Sequence, residues 1–486
     1  MMRKESVLIS LPLLLGTMSL HASVESDSVP FGALSHSGLW ESRRADFFSG
    51  PATSCFRYES NLTLLEIAGS LQQGKGSYAP QLGTDPRQLG FTASTYTLHS
   101  SHALTGQATY SISHTNGVFL NENADPLTVY PYLTSDSIGG SITSERYLFE
   151  GGFADNTDRF FWGVSGGYEA GLHYRMVDPR PKNITGKLTI GGGIGLKSRG
   201  YGLALSAKYM RYTQSSDLMF KDESGAHITY QMTGLGNYYN RFTGLGQKSR
   251  YRGNAYCLSA ELIPCSGCGV VIEGSFNRFS FTKLLTDLNS LPLADCWENR
   301  TEARGGYLSE NGQFRWIADL EVLFVRRHGI VNIFGDATLS SYPQIDALEI
   351  YSDNRTDLRL GFTMDWRFHK NQNLGMRLCG IIARRSEIYA APRTERKTSE
   401  EGLNLTLQYL GAFRHNWVMK ISPWGILDNN LSGGLDLELA KKVGQRISIG
   451  ISSGFAINHE RLSDFDNPLL VSGKCIGGRA GLFVAF

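Results

Sequence analysis

Residues 357–368 read Asp-Leu-Arg-Leu-Gly-Phe-Thr-Met-Asp-Trp-Arg-Phe. Leu358, Leu360, Phe362, Met364, Trp366 and Phe368 occupy the even positions, and Asp357, Arg359, Thr363, Asp365 and Arg367 the odd ones. Alternation at period two places the sets on opposite faces of a β-strand. One face suits an apolar surrounding and the other suits water.

The pattern recurs in both directions from this stretch. It holds at 160–174, where Phe160, Trp162, Val164, Tyr168, Leu172 and Tyr174 oppose Ser165, Glu169 and His173. It holds again at 184–196, 314–324, 405–413 and 447–457. In the last stretch, GKCIGGRAGLFVAF at 473–486, Ile476, Gly478, Ala480, Leu482, Val484 and Phe486 share one face and Arg479 lies on the other. A soluble sandwich would bury apolar rows between its two sheets. Here the second face carries charge. The basic candidates are Arg146, Lys187, Lys208, Arg315, Arg359, Arg367, Arg377 and Arg479; the acidic ones are Glu150, Glu169, Asp319, Glu321, Asp365, Asp436 and Glu438, with His173 beside them. A charge facing lipid at mid-depth costs about 2–4 kcal/mol, so these rows are expected to line an interior.

Connections support closure. Polar joints at 99–102, 155–158, 197–200, 264–267, 309–312, 369–373, 414–416 and 441–445 are short. Most of those between them are longer: 71–86, 115–136, 214–248, 328–354, 391–401 and 460–471. Short turns on one side and long loops on the other are the habit of up-and-down barrels, with the short turns periplasmic. The expected fold is all-β, a transmembrane antiparallel barrel of about 18 strands (range roughly 14–20) over residues 57–486. Within 214–248, Phe220, Tyr230, Tyr238, Tyr239 and Phe242 suit a constriction or an exposed loop equally. Whether the lumen is open or plugged stays undecided at this point.

Arg3 and Lys4 precede an apolar run ending near Leu20, and small residues follow, so 1–22 reads as a secretory signal peptide. Residues 23–56, with an aromatic patch at Leu39, Trp40, Phe47 and Phe48, suit a plug-like or periplasmic segment, or a disordered leader. The formal net charge of +2 argues against nucleic acid as a partner. Seven scattered cysteines do not form a disulfide framework. Cys265 and Cys268 make an isolated CxxC between strands, better suited to a turn disulfide or free thiols than to redox or zinc chemistry. Glu169 and His173 could hold a metal or form a structural pair, and the pair is preferred. No GxSxG lies in a strand–turn–helix context and no HExxH is present, so no enzyme activity, metal or cofactor is expected.

DPLTVYPYLTSDSIGGSITSERYLFEGGF at 125–153 and YEAGLHYRMVDPRPKN at 168–183 resemble an uncharacterised outer-membrane β-barrel family of the Bacteroidota. The terminal aromatic strand resembles the signature that the barrel-assembly machinery reads. These resemblances imply the cell outer membrane, with its lipid and lipopolysaccharide, as the setting. They imply no catalytic residue. The expected function is a channel or pore for a polar solute. The alternative is a closed barrel acting as an accessory or binding component of a surface uptake system, beside a membrane partner protein.

Overall fold

The computed structural model describes residues 32–486 except 77–79, 222–228, 244–247, 339–341, 429–430, 445–446 and 461–472. The expected signal peptide, residues 23–31 and nearly all of the 460–471 joint lie outside the described residues. In chain order the strands are β1 (Leu62–Gly76), β2 (Thr84–His99), β3 (His102–Val118), β4 (Thr134–Asp136), β5 (Gly140–Asn156), β6 (Phe160–Tyr174) and β7 (Arg180–Ser198). Next come β8 (Tyr201–Met219), β9 (Thr229–Gly234), β10 (Asn237–Tyr239), β11 (Lys248–Pro264), β12 (Gly269–Leu285), β13 (Leu291–Asn311) and β14 (Phe314–Phe334). The last seven are β15 (Gln344–His369), β16 (Gln372–Ala390), β17 (Arg393–Phe413), β18 (Trp417–Leu427), β19 (Leu431–Lys442), β20 (Ser448–Glu460) and β21 (Gly473–Ala485).

All but β4, β9 and β10 form one 18-stranded antiparallel sheet. It closes where β21 pairs with β20 on one side and β1 on the other, setting Leu64 opposite Ala485 and Ser70 opposite Arg479. The Phe486 N–H donates to the Thr63 carbonyl at 2.9 Å, and the Phe486 carbonyl accepts the Thr63 N–H at 3.2 Å. Closure leaves no strand edge, which hydrocarbon would not tolerate.

The apolar rows face outward. Leu258, Leu360 and Leu482 are 62%, 65% and 62% exposed, and their neighbours on adjoining strands are similar. Water would make that a large unfavourable surface; lipid makes it the natural one. The protein is an outer-membrane β-barrel.

All eight short joints fall where the charge pattern placed them, between β2 and β3, β5 and β6, β7 and β8, β11 and β12, β13 and β14, β15 and β16, β17 and β18, and β19 and β20. The opposite joints differ from expectation. The loop expected at 391–401 is the two-residue turn Ala391–Pro392, and β14 and β15 run on to Phe334 and back from Gln344 inside the expected 328–354 loop. Beyond the lipid both faces of a strand are wet, so alternation fades while the hydrogen-bond ladder continues. No helix among the described residues is long and apolar enough to cross a membrane.

Candidate functional site

The lumen is occupied from both ends by the chain itself. At the short-turn end, residues 32–60 enter before β1. Helix α1 (Leu39–Phe47) starts after Gly38, with Glu41 in its first turn. Trp40, Phe47, Phe48, Ala52 and Cys55 are buried against Ala103, Ala154, Phe161, Ile263 and Leu308 of the wall. Each large side chain contributes about 1.5–3 kcal/mol by leaving water. The backbone comes so close that a Cβ at Gly163 would stand 2.0 Å from the Pro51 carbonyl oxygen.

Charge fixes the orientation of this inner stopper. Arg43 meets Asp319 at 2.8 Å, and Glu41 meets Arg315 at 2.6 Å while Arg315 also pairs with Asp365. The Arg315 guanidinium lies 4.5 Å from the Trp40 ring centroid. Thr53 donates to Glu261 at 2.7 Å, and the Leu39 N–H donates to Gln408 at 2.9 Å.

His36 stacks on Tyr58 at 3.8 Å, and its Nε2 lies 2.8 Å from the Ser60 carbonyl oxygen. Burial pushes its pKa below the ordinary 6.5, against the Ser60 bond and Glu41, which favour the charged ring. A lowered folded pKa means that this contribution is complete above 6.5 and is lost as pH falls toward the folded value. Protection of residues 32–60 from hydrogen exchange, taken relative to the intrinsic amide rate at each pH, should therefore fall between about pH 7.5 and pH 5, and His36→Phe should flatten that response. Equal pH dependence in both proteins would contradict it.

The outer end is filled by residues 119–139. Val129, Tyr130, Tyr132 and Leu133 are buried among Tyr251, Phe281, Leu293, Tyr351 and Tyr389. Tyr130 and Tyr351 each donate to Glu387 Oε1, at 2.7 and 2.8 Å, and Arg396 pairs with the same carboxylate. Arg327 holds the Tyr130 and Leu127 carbonyls at 3.0 and 3.1 Å. Beneath them Arg175 bridges Glu122 at 2.7 Å and Asp136 at 2.8 Å, with all three side chains at most 3% exposed. Asp136 also accepts the Ile138 and Gly139 N–H groups at 2.6 Å. Thus the stretches quoted from 125–153 and 168–183 meet through Arg175 and Asp136. Arg175 Nε also donates to the Pro179 carbonyl at 2.8 Å, and Asn183 donates to the Glu122 carbonyl at 2.8 Å.

The 214–248 loop contributes less than 119–139 to this outer stopper. Its described part supplies β9 and β10, which join β4 as a three-stranded sheet. Tyr230 and Tyr238, in edge contact at 4.9 Å, line a cleft of about 630 Å³ with Tyr130, Leu133, Met232 and Arg396. Tyr239 belongs to that sheet, paired with Gln231, and Phe242 packs on Phe334 at 5.8 Å.

Between the stoppers the wall is asymmetric. From β13 to β17 it is crowded with ion pairs: Asp319 with Arg377 at 3.2 Å, Glu321 with Arg359 at 3.3 Å, and Arg385 with Asp353 at 2.8 Å. Arg367 faces Glu310 at 3.5 Å near the rim. Across the lumen, β1 to β8 present Thr105, Gly167, Ser165, Thr189 and similar small groups around a polar cavity of about 500 Å³. Its base is His36 and Tyr58, and Glu150 and Lys208 reach into it. Glu150, Lys187 and Lys208 have no ion-pair partner among the described residues. Arg146 and Glu169 pair above, at 2.7 Å. On the remaining wall Glu438 meets Lys420 at 2.7 Å and Asp436 meets Arg479 at 4.0 Å.

Glu169 and His173 do not converge: His173 Nδ1 lies 2.7 Å from Ser144 Oγ, while Glu169 faces Arg146. Cys265 and Cys268 are free thiols at the β11–β12 turn. Arg180 pairs with Asp178 at 2.6 Å. The residues that sequence reading left without a role are those of the outer stopper. Their signal was the apolar run Tyr130-Pro131-Tyr132-Leu133 inside a joint that should be wet.

A family model described as "Family of unknown function (DUF6850)" matches residues 51–455. No curated protein matches the chain. Among solved structures, the ferric preacinetobactin receptor of Acinetobacter baumannii superposes with a TM-score of 0.41 at 8% identity, over 88% of this chain and 80% of that one. The siderophore receptor PirA of Pseudomonas aeruginosa gives 0.37 at 10% identity, over 88% and 81%. The ferric-catecholate import receptor Fiu of E. coli K12 gives 0.39 at 7% identity, over 87% and 81%. Likeness at this level says nothing about what this chain binds or carries.

Proposed function

The chain belongs to that family of unknown function, and from its barrel alone we propose a gated outer-membrane passage for a small polar solute. The supporting observation is the asymmetric lumen: one wall filled by ion pairs, the other hollow, polar and lined with small groups. A barrel of about this strand number is too wide for side chains to fill, so a hollow flank with Glu150, Lys187 and Lys208 uncommitted is a natural solute route. The two stoppers, which lie in series, would hold that route shut until the matching solute displaces both. The Tyr130–Tyr230–Tyr238 cleft at the outer mouth is the place for first contact.

Liposome swelling in isotonic sugars, amino acids and short peptides tests the proposal. Swelling is expected with one solute class and should be lost in Gly167→Trp, because a Cβ there already meets Glu150 at 3.1 Å on the hollow flank. Equal swelling with every solute would indicate a general pore. Silence with every solute would favour the closed accessory or binding barrel.

A further inference from the structure

The arginines of this barrel fall into two populations. Those pointing inward find carboxylates, as Arg146, Arg304, Arg315, Arg359, Arg377 and Arg385 do. Arg211, Arg252, Arg278 and Arg326 lie on the outward rows of β8, β11, β12 and β14, are exposed, and have no carboxylate partner among the described residues. Sequence alternation had suggested that charge keeps to the inner face. These four break that rule on β8, β11, β12 and β14; Arg87 on β2 and Arg384 on β16 are exposed on outward rows as well.

Their height explains how they are tolerated. Going outward along β11 from its periplasmic end, the lipid-facing positions are Leu262, Ala260, Leu258 and Tyr256, then Asn254 and Arg252. Leu262 and Arg252 are ten residues apart. At about 3.3 Å per residue and a tilt near 40°, that spans about 25 Å, the height of the apolar band of such a barrel. Tyr209 and Tyr256, with rings 5.3 Å apart, mark the aromatic girdle; Arg278 stands in register with it, and Arg211 and Arg252 lie just outside it.

The registers draw them together. Arg211 stands opposite Asn254, and Asn254 is two positions from Arg252 on the same face. Arg278 stands opposite Tyr256 on β11 and Asn299 on β13, and Arg326 stands opposite Asn299 on the far side. Arg278 and Arg326 thus flank one asparagine, two strand spacings or about 10 Å apart, within reach of a single anion. Arg278 is steadied by the Trp297 ring, 5.3 Å away. Guanidinium forks match phosphate oxygens in pairs, and phosphate contacts of this kind are charge-assisted and strong.

We infer that Arg211, Arg252, Arg278 and Arg326 form a binding surface for the phosphates of the phosphorylated glycolipid of the outer leaflet. Its acyl chains lie on the apolar rows beneath, and Asn254 and Asn299 supply amide contacts between the guanidinium groups. The surface is on the outside of the barrel and is independent of any traffic through the lumen.

Native mass spectrometry of the folded full-length protein, given diphosphoryl lipid A or its dephosphorylated form, tests this. Wild type should retain the diphosphoryl lipid roughly tenfold or more better than the dephosphorylated one. The R211S/R252S/R278S/R326S variant should lose that preference and bind both lipids alike. Should that variant fail to fold, R278S/R326S should lower the preference severalfold. Equal retention of the two lipids by wild type, or an undiminished preference in the variants, would overturn the assignment.

Discussion

Replacing Arg175 by methionine should detach the outer stopper while leaving the barrel intact. The substitution keeps bulk and removes the one cation between Glu122 and Asp136, whose side chains are 3% and 1% exposed. Two like charges then share a dry site. Breaking a buried pair in this way costs about 3–5 kcal/mol, because the remaining charge stays buried without compensation. The loss falls on residues 119–139, since Glu122 and Asp136 both sit there and the β5–β6 and β6–β7 ladders do not depend on the side chain. Hydrogen exchange should rise through 119–139, with folded-barrel mobility on gels unchanged. Adding Glu122→Gln and Asp136→Asn should restore most of the protection, because a fully neutral site no longer holds unpaired charge. The amide introduced by Asp136→Asn would still present an oxygen to the Ile138 and Gly139 N–H groups that Asp136 now caps. Unchanged exchange in Arg175→Met would show that the triad does not hold the loop.

The barrel was legible because lipid imposes period two on any strand that crosses it. Leu358 to Phe368 alternate for that reason, and so do Ile476 to Phe486. Turn positions followed from the same pattern wherever a strand stays within the membrane. Outside it the signal weakens, which is why β16 and β17 meet at Ala391–Pro392 where a longer loop was expected. The lumen charges could be placed on a face but not paired, because pairing depends on register between distant strands. Arg43 and Asp319 are separated by 276 residues, and Tyr130 and Glu387 by 257. The outer stopper was hidden for a related reason: Tyr132 looks like an ordinary loop aromatic until a wall surrounds it, whereas the patch at Leu39, Trp40, Phe47 and Phe48 had already suggested a plug-like or periplasmic segment, or a disordered leader. The outward arginines escaped notice because they stand at the boundary where one solvent gives way to another.

The second large effect concerns both stoppers at once. They lie in series, with α1 and its flanks in the periplasmic half and residues 119–139 in the outer half. Deleting 32–58 removes Trp40, Phe47 and Phe48 from the lumen yet spares the wall, since Asp319 keeps Arg377 and Asp365 keeps Arg315. β1 begins only at Leu62. Replacing 121–137 with a short Gly-Ser linker empties the other end. Neither change alone should open the lumen. Together they should, because 18 strands enclose more space than their own side chains fill. The decisive measurement is conductance in planar bilayers for wild type, each single deletion and the double deletion. Wild type and the single deletions should pass little current, and the double deletion roughly tenfold more or greater. A wild type that conducts as well as the double deletion, or a folded double deletion that stays silent, would contradict a lumen gated by its own chain.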